Sequence, residues 1–196
     1  MAEAPRFDPA RTAVLSMDLQ SAIVAIYVKD PDDFLSRVVR VLDCARAAAM
    51  RVIHVRVGFR AGLPEVSSRN RLFGAVKQSA QHQKLFSGPT GEIHSAVAPR
   101  GDDVVITKHR VSAFAGTDLD QILRANDIDT LVLMGIATSG VVLSTALEAS
   151  DADYRLVVVG DCCADLDRDL HACLLEKMLP GRATVLSSAE FVEAMT

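Results

Sequence analysis

The sequence predicts an α/β fold built on a parallel sheet, and three observations point there. Six short apolar runs recur along the chain: TAVLSMD (12–18), RVIHVRV (51–57), DVVIT (103–107), TLVLMG (130–135), RLVVVG (155–160) and ATVLSS (183–188). Most are near-continuous Val, Leu and Ile rather than alternating, the pattern of strands covered on both faces. Segments with helical apolar spacing separate the runs, and such alternation makes an open sheet with right-handed crossovers. At 196 residues the chain fits a single domain, taken as 1–196.

Taken in order, the first run exits through Met17-Asp18-Leu19-Gln20, which places Asp18 and Gln20 at the carboxyl rim of the sheet. PDDFLSRVVRVLDCARAAAM (31–50) opens on acids, which suit a helix N-terminus, and keeps apolar residues at helical spacing. The second run carries His54. The segment 58–99 that follows is rich in Gly, Pro, Ser and Arg, with a short helix expected in RLFGAVKQSAQH. So long an excursion is a lid, a binding loop, an oligomer contact or a plain surface loop. The third run ends in ITKHR and brings Lys108 to the rim, and DLDQILRAND is the next helix. The fourth leads into GIATSG and the helix SGVVLSTALEASD. The fifth leads into GDCC, which adds Asp161, and DRDLHACLLEKML precedes the sixth.

Composition excludes several function classes. Hydrophobic residues make up 49%, enough for a core, but aromatics are 5% with no Trp, so aliphatic side chains must fill it. A net charge of -4 and the lack of a basic cluster argue against a nucleic-acid partner. No apolar run approaches the roughly 18 residues of a membrane span. The start MAEAPRFDPAR has neither the basic nor the apolar region of a secretory signal. Cys44, Cys162, Cys163 and Cys173 match no zinc or redox spacing and read as reduced thiols in a cytoplasm, with Cys44 and Cys173 in helices facing the core. No G-x-G-x-x-G follows a strand, which weakens a nucleotide-binding reading.

Ligands of open α/β sheets bind beyond the carboxyl ends of the strands. That rule gathers Asp18, Lys108, the GIATSG turn and Asp161 on one edge. An acid beside a lysine can transfer protons, and N–H groups at a helix start can hold a developing oxyanion. Plainer roles exist for each residue. Asp18 could cap a turn, Lys108 could be a solvated rim charge, Ser139 reads as the N-cap of the next helix, and Asp161 reads as an anchor for the loop before DLDRDLHACL.

At these residues the chain resembles the isochorismatase-like hydrolase superfamily, which includes nicotinamidases, N-carbamoylsarcosine amidohydrolases and isochorismatases. The resemblance rests on TAVLSMDLQ, on ITKHRVSAFAGTDLDQILRANDIDTLVLMGIATSGVV and on STALEASDADYRLVVVGDCCAD. It runs from about Thr12 to the last strand and is weakest over 58–99. It implies a three-layer α/β/α sandwich with a six-stranded parallel sheet, Rossmann-like in arrangement. It also implies a homo-oligomer of two or more copies, a small-molecule substrate and no cofactor. Carried over residue by residue, the catalytic aspartate is Asp18 and the lysine is Lys108. The position of the nucleophilic cysteine is Val141, and Gln20, Phe114, Ala137, Thr138 and Val141 are expected around the substrate. A non-proline cis peptide is expected near Ala137–Thr138. Metal-binding members use an Asp-x-His motif with a further His; His54, His82, His94, His109 and His171 lack that spacing, so no metal is expected.

A valine at 141 offers no lone pair and no proton, which excludes covalent acyl-enzyme chemistry there. Ser139, Ser144 and the pair Cys162 and Cys163 are weaker substitutes: Ser139 faces elsewhere, Ser144 lies deeper, and such thiols are more usually buried. Isochorismatases, which resemble this fold, lack the cysteine and work by proton transfer from the aspartate. The residues therefore favour a cysteine-independent hydrolase with Asp18 as general acid/base and Lys108 beside it, with a non-catalytic ligand-binding or assembly member as the alternative.

Overall fold

The computed structural model describes residues 6–195. Its strands are β1 (Thr12–Met17), β2 (Arg51–Val57), β3 (Val104–Lys108), β4 (Thr130–Ile136), β5 (Arg155–Ala164) and β6 (Thr184–Leu186). They form one sheet in the order β3-β2-β1-β4-β5-β6, and every pairing is parallel. This is the doubly wound order, in which the crevice opens where the strand order reverses, between β1 and β4. The α/β fold with a six-stranded parallel sheet flanked by helices is as the sequence predicts.

The helices are α1 (Ser21–Tyr27), α2 (Pro31–Ala47), α3 (Arg71–Gln78), α4 (Ala80–Lys84), α5 (Leu119–Ala125), α6 (Leu143–Asp151), α7 (Arg168–Cys173) and α8 (Ser188–Glu193). Helix α2 shows why its sequence folds this way. Asp30 caps it by accepting from the Asp33 N–H, Pro31 fixes the first turn, and Asp32 and Asp33 complement the helix dipole. Its buried face, Phe34, Leu35, Val38, Val41, Leu42 and Ala45, repeats at helical spacing.

Central strands β1 and β4 are buried at every residue, which explains their unbroken aliphatic runs. Edge strand β3 departs from that rule, with Val105 exposed on its open face. Strand β5 continues past its expected end to Ala164, because Cys162 and Cys163 are buried and pack as small hydrophobes. Cys173, expected in the core, is exposed. Asp161 anchors α8 rather than the loop before α7: its carboxylate takes the N–H and hydroxyl of Ser188, each at 2.7 Å.

Gly135 fixes how closely β4 approaches β1 at the crevice. Its φ is 146°, and a Cβ there would stand 2.1 Å from the Met17 carbonyl oxygen. Because the obstacle is backbone in the middle of the sheet, neither strand can yield. Gly135→Ala is therefore expected to destabilise the protein by more than about 3 kcal/mol in urea unfolding. Gly62→Ala, also at positive φ but with open space around it, should lose only about 1 kcal/mol. Equal effects would remove the steric account.

Candidate active site

Three strand ends build the floor of the site. Asp18 leaves β1 with a φ of 55°, a left-handed turn that aspartate tolerates better than most residues, while its N–H is held by the Val55 carbonyl at 2.8 Å. Lys108 ends β3, directly across from Val57 of β2. Their side chains meet at 2.8 Å between Nζ and Oδ2, with 2% of the lysine and 8% of the aspartate side chain exposed. Nζ also donates to the Arg110 carbonyl at 3.0 Å. The other carboxylate oxygen, Oδ1, is buried and has no hydrogen-bond partner. Burial pushes the Asp18 carboxyl above its ordinary range, and the charge and hydrogen bond of Lys108 pull it back only in part.

The pair opens into a cavity of about 280 Å³. Its lining is otherwise almost wholly apolar. Ile23, Ile26 and Tyr27 come from α1; Leu72, Phe73 and Val76 come from α3; Leu85 and Phe86 follow α4. Ile136, Ala137, Gly140 and Val141 close the side facing β4. Other cavities lie elsewhere: one, with Arg46, Arg51, Asp102 and Asp103, sits at the amino ends of β2 and β3, away from the rim where α/β sheets bind ligands.

The turn after β4 is held in place by β5 and α7. Ser139 is not the side-chain cap expected of it. Its N–H donates instead to Asp165 Oδ2 at 2.7 Å, and the helical segment Thr138–Val142 has no side-chain cap. That segment is a π-turn kinked at Gly140, a feature frequent at functional sites. The Gly140 and Val142 N–H groups both bond the Ala137 carbonyl. The cis peptide lies at Ile136–Ala137, one bond before its expected place.

Asp18, Lys108, Ala137 and Val141 come together around the cavity, whereas Gln20, Thr138 and Phe114 are not among the residues lining it. Gln20 is fully buried: its amide donates to the Val57 and Gly91 carbonyls and accepts from the Val57 N–H. With those bonds made, it has no polar atom to offer a substrate. The Thr138 hydroxyl lies 3.2 Å from the Ala164 carbonyl and 2.8 Å from Nδ1 of His171, so it fastens the turn. Phe114 packs against Tyr154, with ring centroids 6.1 Å apart. Conversely, Tyr27 and the apolar wall from the 58–99 excursion were not anticipated. The run SAIVAIY, with Ile23, Ile26 and Tyr27 on one face, carried a helical signal for the first of these.

None of the four cysteines lines the cavity. Burial raises both Cys162 and Cys163, the latter to about 12, and Cys163 hydrogen-bonds the Val159 carbonyl. Among the described residues no helix is long and apolar enough to cross a membrane, and no group of three or more His, Cys, Asp or Glu is placed to hold a metal.

Comparison with known proteins agrees with this architecture. The isochorismatase domain matches residues 12–190. An uncharacterized isochorismatase family protein, YecD of Escherichia coli O157:H7, is 30% identical over 190 residues, covering 94% of this chain and 96% of its own. The ureidoacrylate amidohydrolase RutB of Acinetobacter baylyi is 31% identical over 180 residues, covering 82% of this chain and 74% of its own. The crystal structure of a cysteine hydrolase from Pseudomonas syringae pv. phaseolicola superposes with a TM-score of 0.85 at 28% identity, over 100% of this chain and 98% of that one. With the match extending from the first strand into the last helix, the chain belongs to the isochorismatase family.

Proposed function

We propose that this protein is an isochorismatase-family hydrolase that acts on a small molecule without a cysteine nucleophile, with Asp18 as general acid/base and Lys108 as its charged partner. One observation carries the proposal: a buried carboxyl, with one oxygen on a lysine and the other without a hydrogen-bond partner, belongs to a residue that lines an apolar cavity. A buried ion pair contributes little net stability against an apolar replacement, so its presence at a strand-end crevice favours a chemical role. The likeness to an amidohydrolase supports hydrolysis as the reaction class.

Under this reading Val141 occupies the position of the nucleophile in the thiolate branches. Its side chain is buried in the cavity wall and can only exclude water. The chemistry then falls to proton transfer. The Asp18 carboxylic acid gives its proton to the substrate, at the terminal alkene carbon of a vinyl ether or at the amide group of an amide or ureide. Water adds to the carbon so activated, the proton it sheds restores the acid, and the adduct breaks to release the alcohol or amine. Lys108 stabilises the carboxylate while the proton is away. A ligand-binding member without turnover is the second reading, and the inert Val141 side chain is the observation that favours it.

Asp18→Asn keeps the shape of the side chain and removes the titrating proton. In a screen of vinyl ethers, amides and ureides, any turnover found should fall about 10²- to 10⁴-fold in this variant. Full retained activity would overturn the assignment of Asp18, and a screen silent for the wild type would favour the binding reading.

Treatment with iodoacetamide should modify the exposed Cys173 and leave turnover intact, with mass spectrometry identifying the labelled site. Inactivation that tracks labelling of Cys162 or Cys163 would restore a thiol mechanism.

Carboxyl-carbon NMR should find Asp18 titrating above the ordinary 3.8. In Lys108→Met it should titrate higher still, because the partner that lowers it is gone. A folded-state value above the unfolded one means that the stability from the protonated form is fully present below the unfolded pKa. It is lost as pH rises through the folded pKa. An Asp18 signal at or below 3.8 in the wild type would contradict the buried-acid account.

A further inference from the structure

The walls of the Asp18 cavity define its ligand more narrowly than the floor does. Asp18 and Lys108 are the only charged side chains in its lining, and they are paired with each other. A second N–H of the lysine goes to the Arg110 carbonyl. Arginines lie nearby but serve the protein itself. The guanidinium of Arg110 donates to the His109 and Glu65 carbonyls, that of Arg56 pairs with Glu92, and that of Arg60 lies 3.7 Å from Glu65. A ligand carboxylate entering the cavity would lose its water, meet apolar side chains, and find no unshared cation to replace the water. It would also stand beside the carboxyl of Asp18.

The apolar surface is continuous from floor to mouth. Ile26 of α1 and Leu72 of α3 both line the cavity and are 47% and 59% exposed. Further in, Phe73 and Phe86 are both braced edge-on by Phe59, with ring centroids 5.5 and 5.6 Å apart. These two rings are therefore fixed walls. Tyr27 adds one phenol, the single neutral side chain in the lining that can donate or accept a hydrogen bond. An apolar cavity of about 150 Å³ holds a benzene ring, so 280 Å³ suits a body of about twice that size.

We infer that this cavity selects an uncharged molecule with an apolar body of one or two rings' bulk and a single hydrolysable polar group, and that it rejects carboxylates such as ureidoacrylate, the compound in the name of the RutB relative. The fate of the polar group rests on the hydrolase reading above. The selection itself rests only on the lining.

Matched probes test it. Isothermal titration of the intact protein with phenylacetamide and with phenylacetate, at neutral pH, compares one body with and without the charge. The amide should bind at least about tenfold more tightly, and ureidoacrylate should bind no better than phenylacetate. Leu72→Arg places a cation at the exposed rim, where a larger side chain has room, and should reduce the amide-to-acid ratio by about tenfold. Equal or tighter binding of either acid to the wild type would overturn the inference, and so would failure of phenylacetamide to bind at about 10 mM. A ratio unmoved in a folded Leu72→Arg would remove Leu72 from the selecting surface. Because binding is read without turnover, the two proposals fail separately. Active Asp18→Asn with the ratio preserved would sink the catalytic role alone, and an acid-preferring wild type that still needs Asp18 would sink this selection alone.

Discussion

The contact between Asp18 and Lys108 is the constraint around which the rest of the site is arranged. A carboxyl and a lysine amine at 2.8 Å, nearly without solvent, are expensive to bury and contribute little net stability once assembled. The fold meets that expense with rigid backbone. Asp18 is held by the Val55 carbonyl in a left-handed turn, and Lys108 is held across from Val57 by the β2–β3 ladder. Asp18 leaves β1 and Lys108 ends β3, with β2 between them, so the strand order brings the pair together, and the Arg110 carbonyl of the following loop holds the amine. One polar atom, Oδ1 of Asp18, is left without a hydrogen-bond partner by this arrangement, in a residue that lines the cavity.

The opposite wall is fixed in a different way. The turn after β4 is not stabilised by its own side chains as a helix start usually is. Asp165 takes the Ser139 N–H, and Thr138 engages both the end of β5 and His171 of α7. Three N–H groups of the turn, those of Ser139, Gly140 and Val142, are thereby occupied within the protein. Those three N–H groups are not free to hold an oxyanion, which supports the proposed reliance on proton transfer at Asp18.

Much of this was legible in the sequence, for identifiable reasons. Near-continuous aliphatic runs marked the strands because β1 and β4 are buried on both faces, and the strand-end rule then selected Asp18 and Lys108. What failed was the direction of polar side chains. Gln20 and Thr138 sit beside site residues in the chain, yet their hydrogen bonds run to backbone and to His171, which no one-dimensional pattern reveals. In 58–99 the short helix expected in RLFGAVKQSAQH is present as α3 and α4, but its role as a cavity wall was not legible, because Leu72, Phe73, Val76 and Phe86 are scattered among Gly, Ser and charged residues. Helix α8 did carry a signal. Ser187 and Glu190 form a capping box, and the Ser-x-x-Glu spacing was there to be read.

Gln20 shows why the misplaced expectation matters. Its amide binds both the N–H and the carbonyl of Val57, and at 2.6 Å it also binds the carbonyl of Gly91, where the excursion returns to the sheet. Beside it, the Ser21 N–H bonds the Glu92 carbonyl and the His94 N–H bonds the Leu19 carbonyl. The exit of β1, the end of β2 and the base of the excursion are therefore fastened at one point. Helix α3 lies further out along the same excursion, capped by Asn70 and tied by Lys77 to the Leu63 and Val66 carbonyls. Its side chains can change without touching the Gln20 fastening or the ion pair beneath it. The fold thus fastens the floor through the sheet and the Gln20 contacts and the wall through separate contacts of α3, so a change of wall side chains need not disturb the floor.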